Sequence, residues 1–489
     1  FMNLSTARSA SRAKEVGLRK TLGSARSQMI GQFLSESVIY SLVGVIIALG
    51  ITYLLMPYFN TLAGKQLTFD SLINWQFGVG ILTLILVVGF IAGSYPAFYL
   101  TAFNAVEVLK GKLRSGMKSK GVRSTLVVVQ FAISIFLIIA TAIVLQQLQY
   151  LQSKNLGIDK QNVIVLQNLG KLGNNRPAFK NEVLQIAGVE RASYTNNSFP
   201  GVNNTTVFKT RGSEQDQLAG SYYADYDHLD VMKFEMAAGR FFSRDFLSDT
   251  VAVVVNEAAV KQFGWTEPIG QELTNFNGPE PRVDKVIGVV KDFNFESLKS
   301  EIRPIVISFT DFSRFLLVRY SGHPESTLDA IETLWKKYGS DSPFEYSFLD
   351  QDFDALFRAE QRLKNIFLVF AGLAIFIACL GLFALAAFTT EQRTKEIGIR
   401  KAMGATVPNL TLLLSKEFTL LVIVAFVPAA GAAWYFMSQW LQDFAYRIQI
   451  NPLILILGGL IAFVVAWLTV GFQALRAAKS NPVTSLRYE

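Results

Sequence analysis

Residues 33–56 read FLSESVIYSLVGVIIALGITYLLM, an apolar run whose one charge, Glu36, falls in its first turns. An α-helix rises 1.5 Å per residue, so about 20 apolar residues cross a bilayer core of ~30 Å. This run is long enough, and so are 77–100, 124–146, 365–388, 412–438 and 453–475. Their small residues Gly44, Gly50, Gly89, Gly93, Gly372, Gly381, Gly431, Gly458 and Gly459 suit close helix packing in lipid. Charged residues make up 17% of the chain, where water-soluble chains carry ~25%. The fold class this predicts is an α-helical transmembrane bundle of about six spans. Number and length together exclude buried helices of a soluble core.

The net charge of +8, from 46 basic and 38 acidic residues, falls beside the spans. Arg8, Arg12, Lys14, Arg19, Lys20 and Arg26 precede the first, and Lys110, Lys112, Arg114, Lys118, Lys120 and Arg123 fill the loop after the second. Arg393, Lys395, Arg400 and Lys401 follow the fourth, and Arg476, Lys479 and Arg487 the last. The loops near 57–75 and 439–452 carry only Lys65 and Arg447. The positive-inside rule then gives one topology: both ends inside and 149–362 outside. The partner of this charge is the lipid bilayer and not nucleic acid.

Segment 149–362 is too polar to span and alternates strand-like and helix-like runs. NVIVL (162–166), ERASYT, TVFKTR, SYYAD, VAVVV (251–255), KVIGVVKDF, PIVISF, FLLVRY and the stretch near 344–348 read as strands. RPAFKNEVLQIAG (176–188), NEAAVKQFG and PESTLDAIETLWKKYG read as helices. The expectation is an α+β domain of two small lobes with helices on one side. Residues 350–364 are helical in pattern and lead into the span at 365–388, predicting a continuous helix.

Chemistry finds little purchase. One cysteine, Cys379, lies in a span and reads as packing; two histidines, His228 and His323, read as surface or packing residues without a clustered carboxylate. No catalytic, metal or cofactor site is predicted, and Asp245, Asp292, Asp350, Asp352 and Asp354 read as turns and a helix start. The aromatics Phe293, Phe295, Phe344, Tyr346, Phe348, Phe353 and Phe357 read as core or interface rather than a substrate surface. The span centres carry no ionisable residue, which argues against an ion-coupled carrier. No G-x-x-x-x-G-K-[ST] phosphate loop occurs, so the sequence carries no nucleotide-hydrolysing motif of its own.

The sequence repeats itself. RAKEVGLRKTLGSA (12–25) matches RTKEIGIRKAMGAT (393–406) without a gap, and the match continues to Glu36 against Glu417. FNAVEVLKGK (103–112) resembles SNPVTSLRYE (480–489). Phe1 aligns with Leu382, so the expectation is an N-terminally truncated first half, lacking its leading span, its outer domain and a second span. In each copy Glu15–Arg19 and Glu396–Arg400 form i,i+4 pairs with the acid first, and Gly23 or Gly404 ends the helix. Val16, Leu18 and Leu22, or Ile397, Ile399 and Met403, offer an apolar docking face. A positive-inside anchor would explain the Lys and Arg but not the repeated Glu, Gly and apolar pattern.

These residues resemble the MacB/FtsX-like permease family of ABC transporters, whose signature is a cytoplasmic K-E-I-G-[IL]-R-K-x-x-G-A stretch. GRFFSRDF (239–246), VVVNEAAVKQFGW (253–265), PIGQEL (268–273), VIGVVKDFNFESL (286–298) and FEYSFLDQDFDALFRAEQRL (344–363) look typical of the MacB periplasmic core domain, particularly in two-repeat permeases of Bacteroidota. The resemblance implies four parts. Residues 1–115 form a first FtsX-like membrane unit, 116–150 a leading transmembrane helix and stalk, 151–349 the MacB-like periplasmic core, and 350–489 a stalk and second membrane unit. It further implies a permease that dimerises with itself or as a pseudo-symmetric pair, binds a cytoplasmic ABC ATPase, and works substrate outside the membrane by mechanotransmission, with a periplasmic adaptor and outer-membrane channel as further partners. The ATPase-coupling residues so implied are Lys14, Glu15, Gly17, Arg19, Lys20 and Gly23, with Lys395, Glu396, Gly398, Arg400, Lys401 and Gly404. Glu36 and Glu417 are candidates for an intramembrane bond that transmits the movement, against a plain interfacial placement. The rival reading is a signalling module acting on an envelope partner; a membrane-bound enzyme is the least favoured.

Overall fold

The computed structural model describes residues 15–101 and 116–478, apart from 17, 73, 198–199, 202–203, 213–214, 277–279, 297, 312–313, 340–341, 393–395, 397–398 and 402. Among the described residues, six helices are long and apolar enough to cross a membrane. Three come first: α1 (Arg26–Ala63), α2 (Trp75–Thr101) and α3 (Gly116–Ser153). A β-rich stretch follows, with β1 (Val163–Leu166), α4 (Arg176–Val183), β2 (Val189–Thr195), β3 (Thr205–Thr210), β4 (Gln217–Ala224), α5 (His228–Met232) and β5 (Met236–Gly239). It continues through β6 (Ala252–Asn256), α6 (Glu257–Phe263), β7 (Glu272–Asn275), β8 (Arg282–Val290), β9 (Ile305–Phe309) and β10 (Phe315–Tyr320). It closes with α7 (Pro324–Gly339), β11 (Tyr346–Phe348) and α8 (Leu349–Ala355). The remaining spans are α9 (Arg358–Gln392), α10 (Val407–Gln442) and α11 (Pro452–Ala478). The chain divides into two compact units: the membrane helices, and Gln147–Ala359 together with Leu441–Ile448.

In the membrane unit the small residues act where they meet another helix. A Cβ on Gly93 would lie 2.7 Å from Ser37 Oγ, and one on Gly89 would lie 2.9 Å from the Val38 Cα, so α2 packs against α1 nearly backbone to backbone. Gly458 of α11 admits the Ile139 side chain of α3 and Gly459 admits the Phe426 ring of α10, each 2.5 Å from where a Cβ would stand. Gly44, Gly50, Gly372 and Gly431 meet nothing within 4 Å in this chain. α3 is the most enclosed span: Val127, Phe131, Ile135, Ile139 and Ile143 are buried at a four-residue spacing, one face of a helix.

The β-rich unit has two lobes. Strands β4, β3, β7, β8, β6 and β9 pair in that order, and β9 returns to pair with β4, closing a six-stranded ring. Strands β11, β1, β10 and β2 form an open antiparallel sheet, joined to the ring by the single β2–β4 pair Thr195↔Ala224. Side chains alternate across a strand, so an all-apolar strand must serve two cores. In β1, Ile164 and Leu166 enter the core beneath α4 and α7 with Phe179 and Trp335, while Val163 and Val165 enter a central core with Tyr222, Phe293 and Phe353. In β6, Ala252 and Val254 join the central core and Val253 and Val255 the third, with Phe208 and Leu273. The helices are not confined to one side: α4 and α7 cover one face of the open sheet, and α5 and α8 contribute to the core on the other.

The expected continuous helix over 350–364 is broken. α8 ends at Ala355, Leu356 and Phe357 turn back to Phe353 and Asp354 through their N–H groups, and α9 starts at Arg358. Burial explains the break: Leu349 and Phe353 are held in the central core, which fixes α8 independently of the span that follows.

Candidate functional site

The two copies of the repeated motif close in the same way. Gly23 has φ +92° and Gly404 φ +91°. Gly23 N–H donates to the Lys20 carbonyl at 3.1 Å and Ser24 N–H to the Arg19 carbonyl at 3.0 Å; Gly404 and Ala405 repeat this with Lys401 and Arg400, at 3.1 and 2.9 Å. This is the Schellman closure, in which a glycine in the left-handed region lets the last carbonyls find partners. The expected ion pairs form too: Arg19–Glu15 at 2.8 Å and Arg400–Glu396 at 2.9 Å. Each elbow then hands the chain to a long span. Lys14, Gly17, Lys395 and Gly398 lie outside the described residues.

The apolar face differs from the expectation at one place. Val16 is buried, packed with Met29 and Phe33 of α1 and Ala97 of α2, and so anchors the elbow to its own spans. Leu18 and Leu22 remain exposed in the first copy, Ile399 and Met403 in the second, and these form the available surface. Ile397 lies outside the described residues. The second elbow anchors by Ala405, Val407 and Leu410 against Ala474 of α11.

The intramembrane candidates are not equivalent. Glu36 is half-buried and accepts from Gln32 Nε2 at 3.2 Å, and Gln32 Oε1 accepts from Arg19 at 2.7 Å. A polar chain therefore runs Glu15, Arg19, Gln32, Glu36 from elbow to span. Glu417 is exposed, and the residue aligned with Gln32 is Leu413, which has no hydrogen-bonding group. Gln32 was missed in the sequence because one glutamine in a helix carries no periodic signal.

The β-rich unit holds a buried polar chain that the sequence did not announce. His228 is fully buried, with Nδ1 2.7 Å from Ser193 Oγ and Nε2 2.6 Å from Tyr222 Oη. Ser193 Oγ lies 2.7 Å from Asp225 Oδ1, Asp225 Oδ2 2.6 Å from Lys180 Nζ, and Lys180 also meets Asp227 at 2.7 Å. Arg244 donates to both oxygens of Asp227. Burial, with Lys180 adding to it, depresses the His228 pKa to about 3, so the ring is neutral. One set of donors satisfies the chain: Tyr222 to Nε2, Nδ1–H to Ser193, Ser193 to Asp225. Burial pushes the Asp225 carboxyl up, opposed by Lys180 and by the Tyr194 N–H and Ser193 bonds. Asp227 is also raised by burial, but Arg244 and Lys180 outweigh that and hold it low. His228 thus has a carboxylate at one remove, contrary to expectation, with fully buried Ser193 between them. It ties α4, β2, β4 and α5 together where a single strand pair joins the lobes.

Phe293, Phe295, Phe353 and Phe357 are buried, Phe344 and Phe348 partly so, and Tyr346 is exposed. Asp292 accepts the Ala258 N–H at the start of α6, Asp352 the Ser347 hydroxyl, and Asp354 the Lys160 ammonium. His323 is exposed. In GRFFSRDF, Arg240 clasps buried Asp249 at 2.6 and 2.7 Å. Gly239 (φ +69°) and Gly288 permit a close backbone crossing, since a Cβ on Gly288 would stand 2.1 Å from the Arg240 carbonyl oxygen.

Comparison with known proteins finds two family models along the chain. Residues 1–105 and 368–482 match the family model of the FtsX-like permease C-terminal region, and 124–334 that of the MacB-like periplasmic core domain. An ABC transporter permease of Bacillus subtilis, YknZ, is 34% identical over 109 residues, 22% of this chain and 26% of that protein. The macrolide export ATP-binding/permease protein MacB of Chromobacterium violaceum is 23% identical over 326 residues, 62% of this chain and 48% of its own length. The chain thus spans between a quarter and a half of these two relatives. The crystal structure of the extracellular domain of the ABC-type transporter YknZ from Gram-positive bacteria aligns over 38% of this chain and all of that one, at 19% identity and a TM-score of 0.29.

Proposed function

Because this chain belongs to the FtsX-like permeases that carry a MacB-like periplasmic core domain, we propose that it is the work-transmitting part of an ATP-driven transporter. It is the permease component of an ABC transporter of the MacB/FtsX type. In the proposed mechanism a separate cytoplasmic ATPase binds the two elbows. Its cycle of ATP binding and hydrolysis displaces them, the spans carry the displacement through the bilayer, and the β-rich unit uses it to export or mobilise a substrate outside. Two permeases, or two pseudo-equivalent halves, would face one ATPase dimer, with both elbows on the cytoplasmic side.

One observation carries this reading: the duplicated elbows end in the same Schellman hydrogen bonds and present Leu18 and Leu22, or Ile399 and Met403, beside an i,i+4 ion pair. An apolar knob ringed by charge on a short helix suits a protein partner's groove. The test is to purify the full-length protein from its native membrane with the ATPase that accompanies it, and to assay hydrolysis. E396A/R400A should reduce association or coupled ATP hydrolysis at unchanged membrane insertion. Unaltered binding and hydrolysis would remove the assignment.

A further inference from the structure

The loop between α10 and α11 belongs to the same compact unit as the β-rich domain. Its hold on that unit starts at Gln147, near the end of α3 and 1% exposed. The Gln147 amide nitrogen donates to the Tyr446 carbonyl at 2.8 Å, and its amide oxygen accepts from the Ile448 N–H at 3.0 Å. One buried side chain thus engages the backbone of the loop at two points, as a neighbouring strand would. Ala445 N–H donates to the Lys299 carbonyl at 2.9 Å, Lys154 Nζ sits 3.1 Å from the Tyr446 ring centre, and Leu441 and Phe444 are buried.

What the loop grips is itself fixed. Residues 292–299 follow β8, and Phe293 and Phe295 of this segment are plugged into the central core beside Phe353. Asn294 N–H donates to the Leu156 carbonyl at 2.7 Å, and Gly157 (φ +76°) leaves room for Asp292, whose carbonyl would stand 2.8 Å from a Cβ there. The corresponding loop of the first repeat closes differently. Asn60 of α1 uses its amide in the same two-point manner, at 2.7 and 3.0 Å, but on Leu67 of its own loop. The amide clamp of the first hairpin closes within its own loop, where Gly64 also lies against the Arg362 side chain of α9, and that of the second joins the β-rich unit.

We propose that residues 441–448 are a transmission element in addition to the direct chain connections of α3 and α9 to the β-rich unit, with Gln147 as its positioning residue. Displacement of the α10–α11 hairpin then reaches residues 292–299 directly, through a chain of packed and hydrogen-bonded groups. This rests on the permease reading above and adds to it the route by which one hairpin drives the outer domain.

Hydrogen–deuterium exchange on the full-length chain in nanodiscs, with the ATPase that co-purifies with it, tests the route. In wild type, ATP with orthovanadate should change exchange in peptides covering 441–448 and 292–299 together. Gln147→Leu keeps the size but removes both bonds, so 441–448 should exchange about tenfold faster. The nucleotide response of 292–299 should then fall by at least half, while α10 and α11 keep theirs. Gln147→Glu retains the acceptor for Ile448 and should restore part of the response. Ala445→Pro, which removes the donor to Lys299 from outside the spans, should act like Gln147→Leu and guards against misfolding of that variant. A full response at 292–299 in both loosened variants would overturn the route alone. A wild type with no nucleotide response in either segment would overturn the permease reading and the route with it.

Discussion

The Arg19 guanidinium donates to the side-chain oxygen of Gln32 at 2.7 Å, which ties the first elbow to the span it precedes. Gln32 passes the bond on to Glu36. The second elbow has Leu413 at the aligned place, so the Gln32 link has no counterpart at that position.

Replacing Gln32 with Leu gives the first half the residue of the second. A net hydrogen bond is worth ~1 kcal/mol, so coupled ATP hydrolysis in the purified complex should drop by roughly two- to tenfold. Association with the ATPase should persist, because Leu18 and Leu22 are untouched. The reciprocal L413Q should leave hydrolysis near wild type. Equal rates for Q32L and wild type would leave Glu36 with an interfacial role only.

Gly93→Val should loosen α1 from α2, since the new Cβ starts 2.7 Å from Ser37 Oγ. The strain is worth ~2 kcal/mol or more, visible as a lower melting temperature in detergent. Gly44→Ala, with nothing within 4 Å, should melt with wild type.

Acid should weaken the junction between the lobes. An exposed histidine titrates near 6.5 and buried His228 near 3, so between those values the unfolded state binds a proton that the folded state refuses. Stability from this group is complete above pH ~6.5 and is lost as pH falls toward ~3, by ~2 kcal/mol from pH 7 to pH 5. Asp225, raised by burial, works with the opposite sign and softens the fall. Exchange protection across 189–195 and 217–224, corrected for intrinsic rate, should follow this curve. His228→Gln should flatten it.

Asp249→Ala should leave Arg240 without its carboxylate and the Ser243 N–H without its acceptor. A buried pair broken on one side costs ~3–5 kcal/mol, and about 2–3 kcal/mol is expected here because 36% of the Arg240 side chain stays in water. Urea unfolding of the full-length chain, followed by exchange in 239–256, measures it. A change under 1 kcal/mol would show that the loop holds by its aromatic contacts.

Much of this was legible in the sequence because the signals are long or repeated. The six spans, the strands around NVIVL and VAVVV, and α6 from Asn256 to Gly264 follow from apolar runs and caps. The short elements α5, β5 and β7 escaped notice, being too brief and mixed in composition to show a period. The elbows were readable from duplication, but Val16 was misjudged, since a helix face does not reveal which of its apolar residues its own spans will cover. The Lys180–Asp225 and Gln147–Tyr446 contacts join residues 45 and 299 positions apart, and no local pattern foretells such pairs. The typical phrase GRFFSRDF turns out to serve structure: Gly239 permits a close backbone crossing, and Arg240 holds Asp249 just beyond the phrase.

The return of β9 to β4 closes the ring, and the marginal strands β11 and β5 are three and four residues long, while seven-residue β2 pairs with the ring only at Thr195. A visiting peptide therefore finds little backbone to extend on the ring, and the one longer edge is that of β2. Whatever meets the ring is read by side chains on its loops and wall, and its grip can be retuned by point changes there without disturbing the hydrogen-bonded hoop beneath.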